Sequence, residues 1–292
     1  MNQPRPYIIG ETNWGQIRSV EYEVAVLPWG ATEAHNYHLP YETDNIQLNC
    51  LAAESARIAW DEGTKVGVLP CVPFGVNTGQ LDIPFCINMN PTTQTAVLAD
   101  VIESLSRQGI SKLIVLNGHG GNNFRQQLRE LQVRFPEVFL CTVDWFGVIN
   151  SNDIFDDPGD HADEVETSLM MQIAPDLVMG LENAGDGSTN QSRMKAIREG
   201  WAWAQRDWLK ATNDTGSGDP SKATADKGKE LIEALSKKKQ RETIQILHKQ
   251  SSLQSFYILE SSSLPVLDKG DWILAYKDDT LVGSRKYYLE SF

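Results

Sequence analysis

A chain of 292 residues that is 41% hydrophobic and 22% charged has the proportions of a soluble globular protein, enough for one large domain or two modest ones. Its 26 Lys and Arg against 39 Asp and Glu leave a net charge of −13, which argues against nucleic acid or an anionic membrane surface as partner. Bound divalent cations would neutralise part of that excess.

The first 150 residues alternate strand and helix signals. EVAVLPWG reads as a short buried strand ending at Pro28, and GATEAHNYHLPYETDN (30–45) follows it. Residues 45 to about 62 carry apolar positions at helical spacing and stop at Gly63. KVGVLPCVPF is a second strand. NPTTQTAVLADVIESLSRQG is a helix with Asn90 as N-cap, Pro91 at its first position and Gly109 past its end. KLIVLNGHGGNN is a third strand running into a glycine-rich turn, NFRQQLRELQVRF a helix, and VFLCTVDWF a fourth strand. Such alternation implies crossover units and a mainly parallel sheet.

Beyond residue 150 comes an acidic loop, SNDIFDDPGDHADEVE, then a helix (ETSLMMQIA) stopped by Pro175. Residues 181–219 are rich in Gly, Asn and Asp around Trp201, Trp203 and Trp208, and KATADKGKELIEALSKKKQRETIQILHKQ is helical. The last forty residues hold strand-like runs (SFYILE, DWILAYK, LVGSRKYYLE) around turns at Lys269-Gly270 and Asp278-Asp279. The four cysteines are widely spaced with no CxxC, and Cys71 and Cys141 read as buried reduced thiols. With no signal-peptide pattern in MNQPRPYIIG and no apolar run near the roughly 18 residues of a membrane span, the expected location is the cytoplasm.

The polar residues are informative because they fall after strands, where open parallel sheets place their sites. Glu33, His35, His38, Glu42 and Asp44 lie within twelve positions, in a chain with 5 histidines. In extended chain Glu33 and His35 point the same way and can face one cation. Asp44 can bridge two cations through its two oxygens, or simply N-cap the helix at Asn45. His38 reads as a core histidine bonded to backbone, and His248 as a surface residue. In NGHGGNN, Asn122 or Asn123 can cap the next helix, but His119 between glycines has no packing role and reads as ligand or catalyst. In HADEVETS, Asp163 and Glu166 fit a capping box, beside His161 and more acids. Mixed imidazole and carboxylate ligation without thiolate suits Zn, Mn or Fe(II), in a two-metal hydrolytic arrangement.

These residues resemble the creatininase (creatinine amidohydrolase) family. PWGATEAHNYHLPYETD, NGHGGNN and HADEVETS are similar to its first three motifs in order, GDPSKATADKG resembles a fourth, and the likeness spans roughly residues 15 to 240. The resemblance implies a metal-dependent hydrolase and an α/β fold, a three-layer sandwich with a mainly parallel central sheet and helices on both faces. It implies Glu33, His35, Asp44 and His119 as ligands of two divalent metal ions (Zn, Mn or Fe), Asp44 bridging, with His161 as a proton-transfer residue. Where creatininase proper has a ligand Glu two residues after the motif histidine, this chain has Gly121; Glu166 is the natural replacement, with Glu164 as the alternative. Asn77, where a Ser is usual, and Gly120 fall on the substrate side. The family's Pro-Gly-Thr-Ile segment reads IPFCINM, and the tryptophans expected before His161 are replaced by DDPGD; both departures are read as substrate-side, against creatinine itself.

The expectation is a hydrolase domain over 1–250 with a β-rich extension over 251–292 packed on it. The reaction expected is cleavage of an amide (cyclic amide or formamide) of a small polar molecule through a metal-bound hydroxide, in a homo-oligomer, hexameric by the resemblance. The alternatives are opening of an oxidised cyclitol or sugar ring, processing of a peptide cofactor precursor, and a non-enzymatic scaffold.

Overall fold

Four β-branched and leucine-rich runs form the centre of the molecule. In the computed structural model, which describes residues 4–247, 272–277 and 280–286 and side chains as far as residue 236, they are β1 (Val24–Trp29), β2 (Val66–Val68), β3 (Lys112–Asn117) and β4 (Phe139–Asp144). All pair parallel, in the order β2-β1-β3-β4. The second strand is shorter than its apolar run. Pro70 and Pro73 have no N–H to give a ladder, so beyond β2 the chain stays beside β1 through Leu69 N–H to Val26 O (2.9 Å), Val72 N–H to Pro28 O (3.0 Å) and Gly30 N–H to Val72 O (3.1 Å).

A one-turn helix α1 (Trp14–Ile17), capped reciprocally by Asn13 and Gln16, precedes the sheet. Helices α2 (Thr43–Asp61), α3 (Pro91–Arg107) and α4 (Phe124–Arg134) make the three crossovers. Alternation along the strands separates two faces. Ala25, Leu27 and Trp29 of β1 and Leu113 and Val115 of β3 pack with Leu98, Ile102, Phe124 and Leu131 of α3 and α4. Helix α2 contacts β1, β2 and β3, and α5 (Glu164–Ile173) lies against α2. Helix, sheet and helix form the expected three layers.

Helix α2 starts two residues earlier than its apolar spacing suggests, because Pro40 O accepts from both the backbone N–H (3.1 Å) and the hydroxyl (2.7 Å) of Thr43. The segment after α5 holds two short helices, α6 (Lys195–Arg198) and α7 (Trp208–Ala211), and then α8 (Ala225–Leu247). Helix α8 is pinned to α5 at Gly228, where a Cβ would stand 2.0 Å from Ser168 O, and by Thr224 N–H to Ser168 Oγ (3.1 Å). All four cysteines are free; Cys86 is buried, whereas Cys71 and Cys141 are half-buried.

The chain divides into two compact units, Met1–Ile244 and Gln245–Phe292. In the second, β5 (Trp272–Lys277) and β6 (Thr280–Lys286) pair antiparallel with a register shift between Ala275 and Tyr276. The SFYILE run, the turns at 269–270 and 278–279, and His248 lie outside the described residues. Among the described residues no helix is long and apolar enough to cross a membrane.

Candidate metal centre

The strand order fixes where a site can form. The first crossover leaves β1 toward β2 and the next returns past β1 to β3, so the connections diverge between the carboxyl ends of β1 and β3. A crevice opens at such a switch point. Beyond β1 the chain folds back on itself, through the bridge between His35 and Leu39 and Glu33 N–H to Tyr41 O (3.2 Å), and returns as the first turn of α2. Glu33, His35 and Asp44 are thereby brought face to face, His119 enters from the end of β3, and His161 and Glu166 from the start of α5.

Asp44 sits at the centre, essentially buried. Its Oδ1 is 3.0 Å from His35 Nε2 and its Oδ2 is 3.3 Å from His119 Nδ1. Glu33 Oε1 is 2.8 Å from His119 Nδ1 and 4.0 Å from His35 Nε2. Glu166 Oε2 is 3.8 Å from His35 Nε2, and His161 Nδ1 is 3.7 Å from Glu33 Oε1 and 4.0 Å from Glu166 Oε2. The far nitrogen of each imidazole is anchored on a backbone carbonyl: His35 Nδ1 on Glu33 O (3.1 Å), His119 Nε2 on Val76 O (3.1 Å), His161 Nε2 on Ala34 O (2.9 Å). Carbonyls only accept, so each far nitrogen carries the hydrogen and the near nitrogen is free to offer a lone pair to a cation.

The charges ask for such a cation. Burial works against an imidazolium at His35, yet Asp44, then Glu166 and Glu33, push its pKa up to about 10. Burial is likewise overcome at His119 by Glu33 and Asp44, which hold it well above the usual value. Glu166 is pushed up to about 8 by burial. Burial and the neighbouring His35 both lower His161. Asp44 Oδ2 accepts no hydrogen bond although it is buried. An orphaned buried carboxylate oxygen is costly unless a metal or proton fills the gap.

The donor atoms sort into sets whose members lie within 4.8 Å of one another: Glu33, Asp44 and His119; His35, Asp44 and Glu166; and Glu33, His35 and His161. The first two share only Asp44, one oxygen each. Residues, donor types and the vacant oxygen fit ligation of a divalent metal.

The family profile described as creatininase, creatinine amidohydrolase, matches residues 10–241. The chain belongs to the creatininase family. A crystal structure of a putative creatinine amidohydrolase from Bacteroides fragilis is 41% identical, with a TM-score of 0.77 over 82% of this chain and 95% of that one. The creatinine amidohydrolase of Pseudomonas putida is 27% identical over 204 residues, 58% of this chain and 73% of the relative. A mycofactocin precursor peptide peptidase of Mycolicibacterium smegmatis is 25% identical over 182 residues, 60% and 67% of the two chains. Two creatininase structures, one of Zn-Zn type and one with Mn, share the fold at 21% identity and a TM-score of 0.67 over 82% of this chain and 98% of theirs. As a creatininase-family hydrolase, the chain is an amidohydrolase by class.

Against the family pattern, the local alternatives resolve one by one. Asp44 does not cap α2: Glu42 occupies that position, without a capping bond, and Asp44 lies inside the first turn. Asn123 is the N-cap of α4 but makes no capping bond. Asn122 instead accepts from Val76 N–H (3.0 Å) and donates to Asn117 Oδ1 (3.0 Å), holding the loop whose carbonyl anchors His119. His38 is buried as expected but bonds the Thr167 hydroxyl (2.9 Å) rather than backbone. Asp163 caps α5 through Glu166 N–H (2.9 Å), while the Glu166 carboxylate takes Ala162 N–H (2.6 Å), so only half of a capping box forms.

Glu164 and Glu166 point apart. Glu164 is fully buried, accepts from Asp157 N–H (2.8 Å) and pairs with Lys227 of α8, which also holds Asp156 at 2.6 Å. Position 121 has no room for a side chain, since a Cβ there would stand 2.3 Å from Val76 O and 2.4 Å from His119 Nε2. Replacing Lys227 by Met should strand the buried Glu164 carboxylate and lower stability by about 1–3 kcal/mol. An unchanged denaturation midpoint for Lys227→Met would show that water replaces the ammonium freely.

A solvent-open cleft lies over the cluster, lined by Glu33, His119 and His161 together with Asn77, Gln80 and Gly120. Of the acids in DDPGD only Asp160 lines it, and Asp160 is paired with Arg206 at 3.1 Å. Sequence reasoning left Trp208 unplaced. Its N–H to Gly79 O (2.9 Å) brings it to the cleft, its ring meeting His161 edge-on at 5.4 Å with the Arg206 guanidinium 4.6 Å above it. Trp201 and Trp203 are exposed. Gln80, buried beside Glu33, was also missed; no local pattern marks it.

Proposed function

We propose that the protein cleaves an amide, cyclic or formyl, of a small polar molecule at a pair of divalent ions. Glu33, Asp44 and His119 hold one ion and His35, Asp44 and Glu166 the other. The observation that carries this reading is the division of Asp44, one oxygen toward each histidine. When bound, Zn, Mn or Fe supplies Lewis acidity to a substrate carbonyl and acidifies a water.

His161 is the proton carrier in this reading. Its Nε2–H is fixed on Ala34 O, burial keeps the ring neutral, and Nδ1 faces the cluster floor. It takes a proton from the attacking water and returns it to the leaving nitrogen. Asn77 and Gly120 orient the substrate from the sides of the cleft, and Trp208 holds the imidazole from behind. The hydrolase lies within residues 1–250, and the reduced cysteines and the family resemblance support a cytoplasmic homo-oligomer, hexameric.

Creatinine should be a poor substrate. A small flat ring needs bare aromatic walls for selective binding, and the face of Trp208 is taken by Arg206. We expect kcat/KM for creatinine below about 10⁴ M⁻¹s⁻¹, with higher values among lactams and formamides. The polar lining of Asn77, Gln205 and the Asp160–Arg206 pair favours a second reading, a hydroxyl-rich oxidised cyclitol or sugar ring, so keto-cyclitols belong in the same panel. Efficient metal-dependent conversion of creatinine to creatine would overturn both.

A further inference from the structure

Glu33 offers one oxygen to the cluster; its other oxygen is held by a neighbouring side chain at the edge of the cleft. Oε2 accepts from the Gln80 carboxamide, which is buried. A carboxylate in this cluster can only accept, so the nitrogen of Gln80 must face Glu33 and its oxygen must face away. That oxygen meets Cys86 Sγ at 3.3 Å, and the sulfur accepts Ala34 N–H at 3.3 Å. The second Gln80 N–H points at Asn77 Oδ1, 3.4 Å away. A closed circuit therefore runs from the backbone beside Glu33 through Cys86 and Gln80 to the Glu33 carboxylate.

The loop is built to make this circuit. Successive turns, Gln80 N–H to Asn77 O (2.9 Å), Ile83 N–H to Gln80 O (3.0 Å) and Cys86 N–H to Ile83 O (3.2 Å), carry Cys86 back to Gln80. Phe85 reaches the left-handed region (φ 64°), which costs a bulky residue energy, with its own ring left 83% exposed. Cys86, the next residue, is buried against Gln80. Within the IPFCINM segment, Cys86 contacts Gln80 and the backbone next to the metal-ligand candidate Glu33.

We propose that Gln80, oriented by Cys86, is a positioning residue that makes Glu33 a one-oxygen ligand of the His119-side ion and so sets that ion's affinity. The proposal rests on the two-ion reading above. With Oε2 occupied, Oε1 stays aimed at His119 Nδ1 (2.8 Å); without Gln80 the carboxylate can rotate and its second oxygen is left unpaired.

The test is zinc affinity of metal-stripped protein, without substrate, by competition with a chromophoric chelator, together with the visible bands of the cobalt-loaded form. Gln80→Leu should weaken one of two ions by 10- to 100-fold, the range for partners that orient ligands, and leave the other within about 3-fold. Only one set of cobalt bands should shift. Cys86→Ser, whose hydroxyl still donates to Gln80, should keep native affinity, and Cys86→Val should fall between native and Gln80→Leu. Native affinity for both ions in Gln80→Leu overturns the proposal, and so does equal weakening of both. If Gln80→Leu fails to fold, the cysteine pair decides: a weaker Cys86→Val supports the relay, and indistinguishable Ser and Val variants refute it. A wild-type protein that binds fewer than two ions refutes the two-ion reading itself.

Discussion

Asp44→Ala should remove both metal ions and with them all turnover. Of the three donor sets, the two proposed to hold ions have Asp44 alone in common, with Oδ1 toward His35 and Oδ2 toward His119. Truncation leaves two donors on each side, Glu33 with His119 and His35 with Glu166, and also removes the anion that balances two imidazoles. Neither remaining pair fills the three protein positions that a catalytic site uses. Helix α2 should survive, since Asp44 makes no capping bond and the first turn is held by Thr43 on Pro40 O. Elemental analysis should find close to two ions in the native chain and almost none in the variant, with unchanged circular dichroism. Two ions retained in Asp44→Ala would show that the carboxylate is not a bridge.

His161→Ala tests the division between holding metal and moving protons. Its Nδ1 stands 3.7 Å from Glu33 Oε1 and close enough to His35 to complete a third donor set, so the geometry alone permits a ligand. Both proposed ion positions are complete without it. We therefore expect metal content to stay at the native level while turnover of the best panel substrate falls by roughly 10² to 10⁴, the range of a general acid–base residue. Loss of an ion along with activity would make His161 a ligand and leave proton transfer to another group.

The sequence by itself determined the class of fold and the residue types that gather at the candidate site. Apolar runs of strand length alternating with helical periodicity leave a parallel sheet as the way to bury both, and the crossovers through α2, α3 and α4 follow. Glu33, His35 and His119 were legible because they sit directly beyond β1 and β3, and a strand's end is a local property. Tertiary structure decided what local pattern could not. Glu164 and Glu166 are two apart on α5, about 200° around a helix of 3.6 residues per turn. Periodicity shows that they diverge, but only the packing of α5 against α2 and of α8 against α5 turns Glu166 toward His35 and Glu164 to Lys227. Asp44 as helix cap or member of the cluster was equally open until Glu33 and His35 folded back over the first turn of α2. Gln80, 47 residues from Glu33, and Trp208, beside His161, reach the site through irregular loops that carry no period to read. Residue type and strand-end position are written along the chain, whereas the direction in which a side chain faces depends on neighbours that only folding brings together.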